Sequence, residues 1–437
     1  MIRKILPILS VLFFLSQLAN AQQAKETNDS SVLSNKTLLS FFNKFNNLTI
    51  SGYIQPEFQV IQQKGAHSFG GGDFEPNSSK RFKIRRGRIK FNYTKLNKSN
   101  YKTIDIVFQP DITEKGVVLR DLYGAIYENK FNLFSLTIGM MNRPFSHEVI
   151  YSSSKRESPE RGRVTQTLMK DERDLGAKIT FAPQRKDHPL HNLSWDLGFY
   201  NGPGLANSTD FDNYKDLISR MTYTKIPLGK KLELSAGISY FNGGFIQRTK
   251  YINRQETVNN IKKYVTDSSL SNIDSKAPRK YIEADFNLKF KQKAGITELR
   301  AELWAGKQTA TEFNSATPAA IPMSGNVPSP LYIRNFNAAI FYFLHNFINS
   351  KHQLAVKYDW YDPNSKVTAS DIGKPGSNLT EADIKYSTLA FGYAYTFNEH
   401  AKIVFWYDIV NNEKTQLAGY TKDLKDNLFT CRLQFKF

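Results

Sequence analysis

The sequence predicts an all-β fold: a transmembrane antiparallel β-barrel of about 16 strands, with short periplasmic turns and long extracellular loops. Three observations carry that expectation. Apolar and polar side chains alternate with period two from Leu48 to the C-terminus. The connections between the alternating runs are sorted, short ones interleaved with long ones. Beyond the N-terminal leader, the longest apolar run is Ala338–Leu344 (AAIFYFL), too short for a membrane helix. The chain is 13% aromatic, yet its mean hydropathy is −0.46. Lipid offers no partners to open strand edges, so a membrane-spanning chain of this kind must close into a barrel.

The N-terminus reads as a secretory signal peptide over residues 1–21. Arg3 and Lys4 form a charged start, Ile5–Leu15 an apolar core, and Ala19-Asn20-Ala21 a small-residue cleavage site. Its removal lowers the formal charge from +19 by the two cations Arg3 and Lys4. Residues 22–47 form a short periplasmic segment, in which Leu38, Phe41, Phe42 and Phe45 recur at helical spacing. Cys431 is the only cysteine, so no internal disulfide is available. Residues 48–437 then form the barrel domain.

Sixteen candidate strands fall at 48–60, 80–95, 101–110, 117–128, 131–141, 171–183, 191–201, 216–227, 230–242, 279–291, 296–306, 331–345, 351–361, 384–397, 400–410 and 426–437. In the last, Phe429, Cys431, Leu433, Phe435 and Phe437 share one face and Thr430, Arg432, Gln434 and Lys436 the other. Alternation alone also fits a β-sandwich. The loop sorting does not: Leu96–Asn100, Pro227–Lys230 and Asn398–Glu399 are short, whereas Ile61–Lys80, Asn142–Lys170 and Asn242–Pro278 are long. Aromatic clusters at Trp360-Tyr361, Tyr393–Phe397 and Trp406-Tyr407 suit interfacial girdles, although core aromatics would read the same.

A barrel of this size leaves an aqueous lumen. The strongest local feature is Lys80–Tyr93, KRFKIRRGRIKFNY. Phe82 and Ile84 are apolar on even positions, Ile89, Phe91 and Tyr93 on odd ones, and the phase slips at Arg85-Arg86 as a β-bulge would cause. A bulge there lets Lys83, Arg85, Arg86, Arg88 and Lys90 all face the lumen, which avoids about 2–4 kcal/mol per charge on the lipid side. The connection Asn142–Lys170, third on the long-loop rim, carries Arg143, Lys155, Arg156, Arg161 and Arg163. Folded inward it would narrow the pore and place cations there, as suits anion and phosphate passage. Alternatively, outer cations hold lipopolysaccharide phosphates and lumenal charges are simply hydrated.

At these residues the chain resembles the phosphate-selective porin O and P family of outer-membrane channels. The matching stretches are SGYIQPEF (Ser51–Phe58), FKIRRGRIKF (Phe82–Phe91), LRDLYGAIY (Leu119–Tyr127), LTIGMMNRPF (Leu136–Phe145), ERDLGAKITF (Glu172–Phe181), LGFYNGPG (Leu197–Gly204), KYDWYDPN (Lys357–Asn364) and the terminal LQFKF. The resemblance implies a homotrimeric channel whose inward third loop and lumenal arginines guide inorganic phosphate or other small anions. Arg85, Arg86 and Arg88 match the arginine-rich second strand, and Asp121 the acidic residue near the constriction. Arg143, Lys155, Arg156, Arg161 and Arg163 are assigned to the pore from loop placement. The terminal Phe437 resembles the signal read by barrel assembly machinery. Acidic residues on lumenal phases (Glu283, Asp285, Glu298, Glu302) and an absent or much reduced form of the long N-terminal coiled coil of some members depart from the phosphate-selective pattern.

The expected partners are therefore small anions, outer-membrane lipid and lipopolysaccharide. No cofactor, metal, catalytic residue or nucleic-acid partner is expected. An enzyme would need a nucleophile within reach of a base, and Ser146-His147 adjacency places the two on opposite faces of a strand. A general diffusion porin is the main alternative, with an adhesive or structural barrel behind it. The segment before the first strand is too short for the plug of an active transporter.

Overall fold

The computed structural model describes residues 46–170, 172–206, 210–348 and 351–437. The signal peptide and the expected helix around Leu38–Phe45 lie outside the described residues. The unit Leu48–Phe437 is a closed barrel of sixteen antiparallel strands, mostly longer than a bilayer crossing needs.

Its first eight strands are β1 (Leu48–Ile61), β2 (Lys80–Leu96), β3 (Lys102–Thr113), β4 (Gly116–Tyr127), β5 (Phe134–Asn142), β6 (Arg173–Phe181), β7 (Leu193–Tyr200) and β8 (Asp216–Pro227). Next comes β9 (Leu232–Ile246), followed by an external hairpin, β10 (Ile252–Val258) and β11 (Ile261–Asp267). The wall resumes with β12 (Lys276–Gln292) and β13 (Gly295–Ala310), then a two-residue pair, β14 (Met323–Ser324) and β15 (Val327–Pro328). It finishes with β16 (Leu331–Phe347), β17 (His352–Asp362), β18 (Tyr386–Asn398), β19 (Ala401–Asn412) and β20 (Leu428–Lys436). The sixteen expected strands are the sixteen wall strands; the hairpin and the short pair inside long loops are additional.

The wall closes where β1 pairs with both β2 and β20. Gly52 and Phe437 exchange backbone hydrogen bonds of 3.1 and 3.0 Å at this seam. A Cβ on Gly52 would stand 2.6 Å from the Phe437 ring and 2.7 Å from the Arg88 carbonyl, so the seam requires glycine. Outward side chains are apolar and exposed, Phe82 by 83% and Phe437 by 65%, as a lipid-facing wall demands. Among the aromatic pairs, Tyr361 and Trp406 are buried inward while Tyr407 is exposed. Neighbouring strand residues face opposite ways, so only part of each cluster can form a girdle.

Two bulges break the ladder near one another. Gln55 pairs with Arg86 and Pro56 with Ile84, leaving Arg85 as the extra residue of β2. Gln109 pairs with Asp121 and Pro110 with Leu119, leaving Arg120 as the extra residue of β4. In both, a Gln-Pro step faces an extra arginine. Proline has no N–H to give the ladder, so a bulge opposite it costs little pairing. The bulges let Arg85-Arg86 and Arg120-Asp121 both point inward.

Deleting Arg85 should preserve the pairing of Phe82 and Ile84, because the ladder on either side is already in register. Deleting Ile89 should instead shift one arm of β2 and turn its charges toward lipid. We expect folded, heat-modifiable protein on electrophoresis for the first deletion and its loss for the second; equal behaviour would contradict the bulge assignment.

Candidate functional site: an arginine-lined constriction

Loop 3, the connection 143–172, folds into the barrel. It contains two short helices, α1 (His147–Ile150) and α2 (Arg163–Leu168). Glu148 of α1 accepts hydrogen bonds from the Gly162 N–H at 2.9 Å and from the Thr165 hydroxyl at 2.6 Å, which ties the start of α2 back to α1. Ser146 caps α1 by accepting the Val149 N–H.

Apolar contacts press this loop against one side of the wall. Phe145, Val149, Val164, Leu168 and Met169 are buried with Phe241, Tyr281, Trp304, Phe336 and Ile340 of β9, β12, β13 and β16. Each such side chain contributes about 1.5–3 kcal/mol when fully buried. Polar ties hold the loop tip to the seam. Arg432 of β20 donates to the carbonyls of Arg156, Glu157 and Ser158 at 3.0, 3.2 and 3.2 Å. Arg300 grips Glu157 with two bonds of 2.9 and 3.0 Å, and the Ser158 hydroxyl meets that of Tyr342 at 2.9 Å. The inward face of β20 therefore meets loop 3 through Arg432 and Gln434, and Arg432 is fully buried.

Water-accessible space remains along β2–β6. A cavity of about 730 Å³ opens toward the short-turn rim, and one of about 800 Å³ toward the long-loop rim. Arg88 and Arg161 line both, so the narrowing between the two lies at these side chains. Arg88 donates to Asp111 at 2.8 Å and to the Ser153 hydroxyl at 3.0 Å. Arg161 donates to the carbonyls of Glu148, Val149 and Tyr151 and to the Glu172 carboxylate. Glu172 also holds Arg120 at 2.6 Å and Arg173 at 2.9 Å, and Arg173 reaches Asp121 at 3.0 Å. On the long-loop side, Glu160 is held by Arg85 at 2.5 Å and Arg86 at 3.0 Å. Among the described residues, these six guanidinium groups share the four carboxylates of Asp111, Asp121, Glu160 and Glu172.

This constriction inside a sixteen-strand barrel agrees with the match of residues 63–437 to the family model for phosphate-selective porin O and P. The chain belongs to that family. It is an outer-membrane porin, a channel by family and fold. Its fold is similar to OmpF of Salmonella typhi in complex with daunomycin, at 12% identity and a TM-score of 0.52, covering 89% of this chain and 97% of that one. It is also similar to a loop L8 deletion mutant of OmpT from Vibrio cholerae, at 9% identity and a TM-score of 0.50, covering 89% and 99%. No curated protein matches the chain.

Within this porin the residues singled out in the sequence separate into groups. Arg85, Arg86, Arg88, Asp121 and Arg161 each line one or both of these cavities. Arg163 lines the long-loop vestibule and makes no ion pair among the described residues, its guanidinium lying over the rings of Phe69 and Tyr386. Arg143 and Arg156 line neither cavity; they are buried and donate to the carbonyls of Lys170 and of Ser158 and Pro159. Lys155 is exposed and also lines neither. Sequence reasoning missed Arg120, Arg173, Asp111, Glu160 and Glu172. The signal was present in Arg120-Asp121, a charged pair interrupting an apolar strand as Arg85-Arg86 does.

The acids on lumenal phases are paired behind loop 3, where single arginines each serve two carboxylates. Arg220 pairs with Glu283 at 3.1 Å and Asp285 at 2.7 Å, and Arg300 pairs with Glu298. Glu302 lies 3.5 Å from the His147 ring. In loop 3, burial alone would raise the Glu160 carboxyl, but Arg85, Arg86 and Arg156 outweigh it and hold the group well below its ordinary range. Burial likewise opposes ionisation of Glu172, and Arg161, Arg120 and Arg173 prevail.

Two outcomes follow from this geometry. Arg432→Ala removes three charge-assisted bonds, each worth about 1.5–3 kcal/mol, so single-channel conductance should rise and become noisy; unchanged, quiet conductance would mean the loop is held elsewhere. Depressed carboxyl pKa values contribute stability above the ordinary value of about 4.3 and lose it only as pH falls through the depressed values. Loop closure, read as conductance, should therefore stay constant from about pH 8 down to pH 5; opening within that window would contradict the assignment.

Proposed function

We propose that this porin is a passive anion channel whose preferred solute is phosphate or polyphosphate. The observation that carries the reading is the placement of Arg88 and Arg161 on both cavities, so that a solute crossing between them must pass these two side chains. Arg85, Arg86, Arg120 and Arg173 add to the field along the same wall. The guanidinium fork matches phosphate oxygens, and arginine stays charged at all working pH values. The carboxylates that share these arginines hold their planes in place and keep any one anion from binding too tightly. Weak, multiple contacts are what release requires. The family's own description, phosphate-selective, supports the same reading.

No chemistry is needed. An anion enters the long-loop vestibule, exchanges part of its hydration shell for N–H donors at the narrowing, and leaves down its gradient toward the short-turn rim. The apolar outer wall provides the lipid contact and the surface on which a homotrimer would assemble, and Phe437 stands exposed where barrel assembly machinery would read it. Lipopolysaccharide phosphates would be met by exposed cations of the long-loop rim.

A general diffusion porin is the second reading, favoured by the pairing of every wall arginine at the constriction with a carboxylate. Titrating phosphate into a chloride electrolyte separates the two. Saturable block of the single-channel chloride current, weakened at least tenfold by Arg88→Gln with Arg161→Gln, is the expected result. A current indifferent to phosphate would make the general porin the better account.

A further inference from the structure

The long-loop vestibule contains a second arrangement that the constriction does not use. Arg163 opens α2 and projects into this cavity. Its Cζ lies 4.1 Å from the centroid of the Phe69 ring and 3.7 Å from that of Tyr386. Among the described residues it has no carboxylate within ion-pair distance and no side-chain hydrogen bond, unlike the six arginines of the narrowing. Its faces are occupied by aromatic rings while the N–H donors on its edges remain open to an oxyanion. The ring of Phe313 stands in the same vestibule and is 62% exposed. Glu381 and Asp426 line it too, and neither forms an ion pair among the described residues.

Inorganic phosphate would use only the arginine edge. The exposed Phe313 ring offers nothing to a hydrated phosphate, and neighbouring carboxylates repel it. The combination suits a molecule with three parts: an oxyanion for the Arg163 edge, a ring with C–H faces for the aromatics, and hydroxyl donors for Glu381 and Asp426. We propose that this vestibule is a capture site for phosphorylated sugars, placed ahead of the constriction so that the phosphate leads the molecule to Arg88 and Arg161. The inference rests on the anion-channel reading and adds a solute class to it.

The test is block of single-channel chloride current by glucose 6-phosphate, inorganic phosphate and glucose, each titrated from the long-loop side. Ring stacking should make glucose 6-phosphate bind roughly five- to tenfold more tightly than phosphate, with glucose weakest. Arg163→Gln and Phe69→Ala, each checked for heat-modifiable mobility as a sign of folding, should both abolish that advantage. Should either variant fail to fold, Phe313→Ala removes the exposed ring of the same vestibule and should likewise abolish the advantage. Equal block by phosphate and glucose 6-phosphate would overturn the sugar-phosphate site while leaving the anion channel intact. So would an advantage that survives the variants, or block by glucose as strong as by its phosphate. Absence of block by any of the three, together with a cation-selective reversal potential, would remove both readings.

Discussion

The lumen is organised by how loop 3 is held. A single buried guanidinium, Arg432, supplies the N–H groups that three consecutive loop carbonyls need once they have left water. Burying those carbonyls unpaired would cost about 1–3 kcal/mol each. On the opposite side, Phe145, Val149 and Leu168 fill the aromatic wall of β9–β16. Together these contacts close one half of the barrel and leave the other half open. What looks like a wide pore in strand number is therefore a narrower passage along β2–β6, and every charge there acts at close range.

The second constraint is local and repeated. Gln55-Pro56 and Gln109-Pro110 each face a strand that carries one residue too many. Strand geometry normally sends adjacent side chains to opposite faces. The bulges suspend that rule twice, and both times the surplus residue is an arginine. Arg85 and Arg120 then approach loop 3 from the wall and take Glu160 and Glu172 as partners. Those carboxylates have two tasks: they dock the loop to the wall, and they fix the planes of the arginines that remain in contact with water. Removing them would free charge but also free the loop.

Much of the barrel was legible because lipid imposes a simple rule on every strand. Phe429, Cys431, Leu433 and Phe435 alternate with Thr430, Arg432, Gln434 and Lys436 whatever else the molecule does, and the same holds around the wall. The slip at Arg85-Arg86 was also readable, since it reverses the phase of the apolar positions beside it. The slip at Arg120-Asp121 was not read, although it obeys the same logic, because the single arginine-aspartate step looks like an ordinary lumenal charge. Inside loop 3 the sequence is nearly silent. Arg143, Arg156 and Arg161 are equivalent as letters, yet only Arg161 lines both cavities. What separates them is contact across long stretches of chain, such as Arg432 with the Arg156 carbonyl, which no local pattern encodes. The hairpin β10–β11 lies within the long connection after β9, outside the lipid-facing wall, where no rule of alternation is imposed.

The proposed anion preference requires an excess of positive charge at the narrowest point of the lumen. The most direct measurement is the reversal potential of the full chain in a planar bilayer under a tenfold potassium chloride gradient at neutral pH. A potential close to the chloride equilibrium value is expected, with chloride carrying most of the current. A potential near zero would mean that the shared carboxylates cancel the arginine field, and one of the opposite sign would contradict the central claim outright.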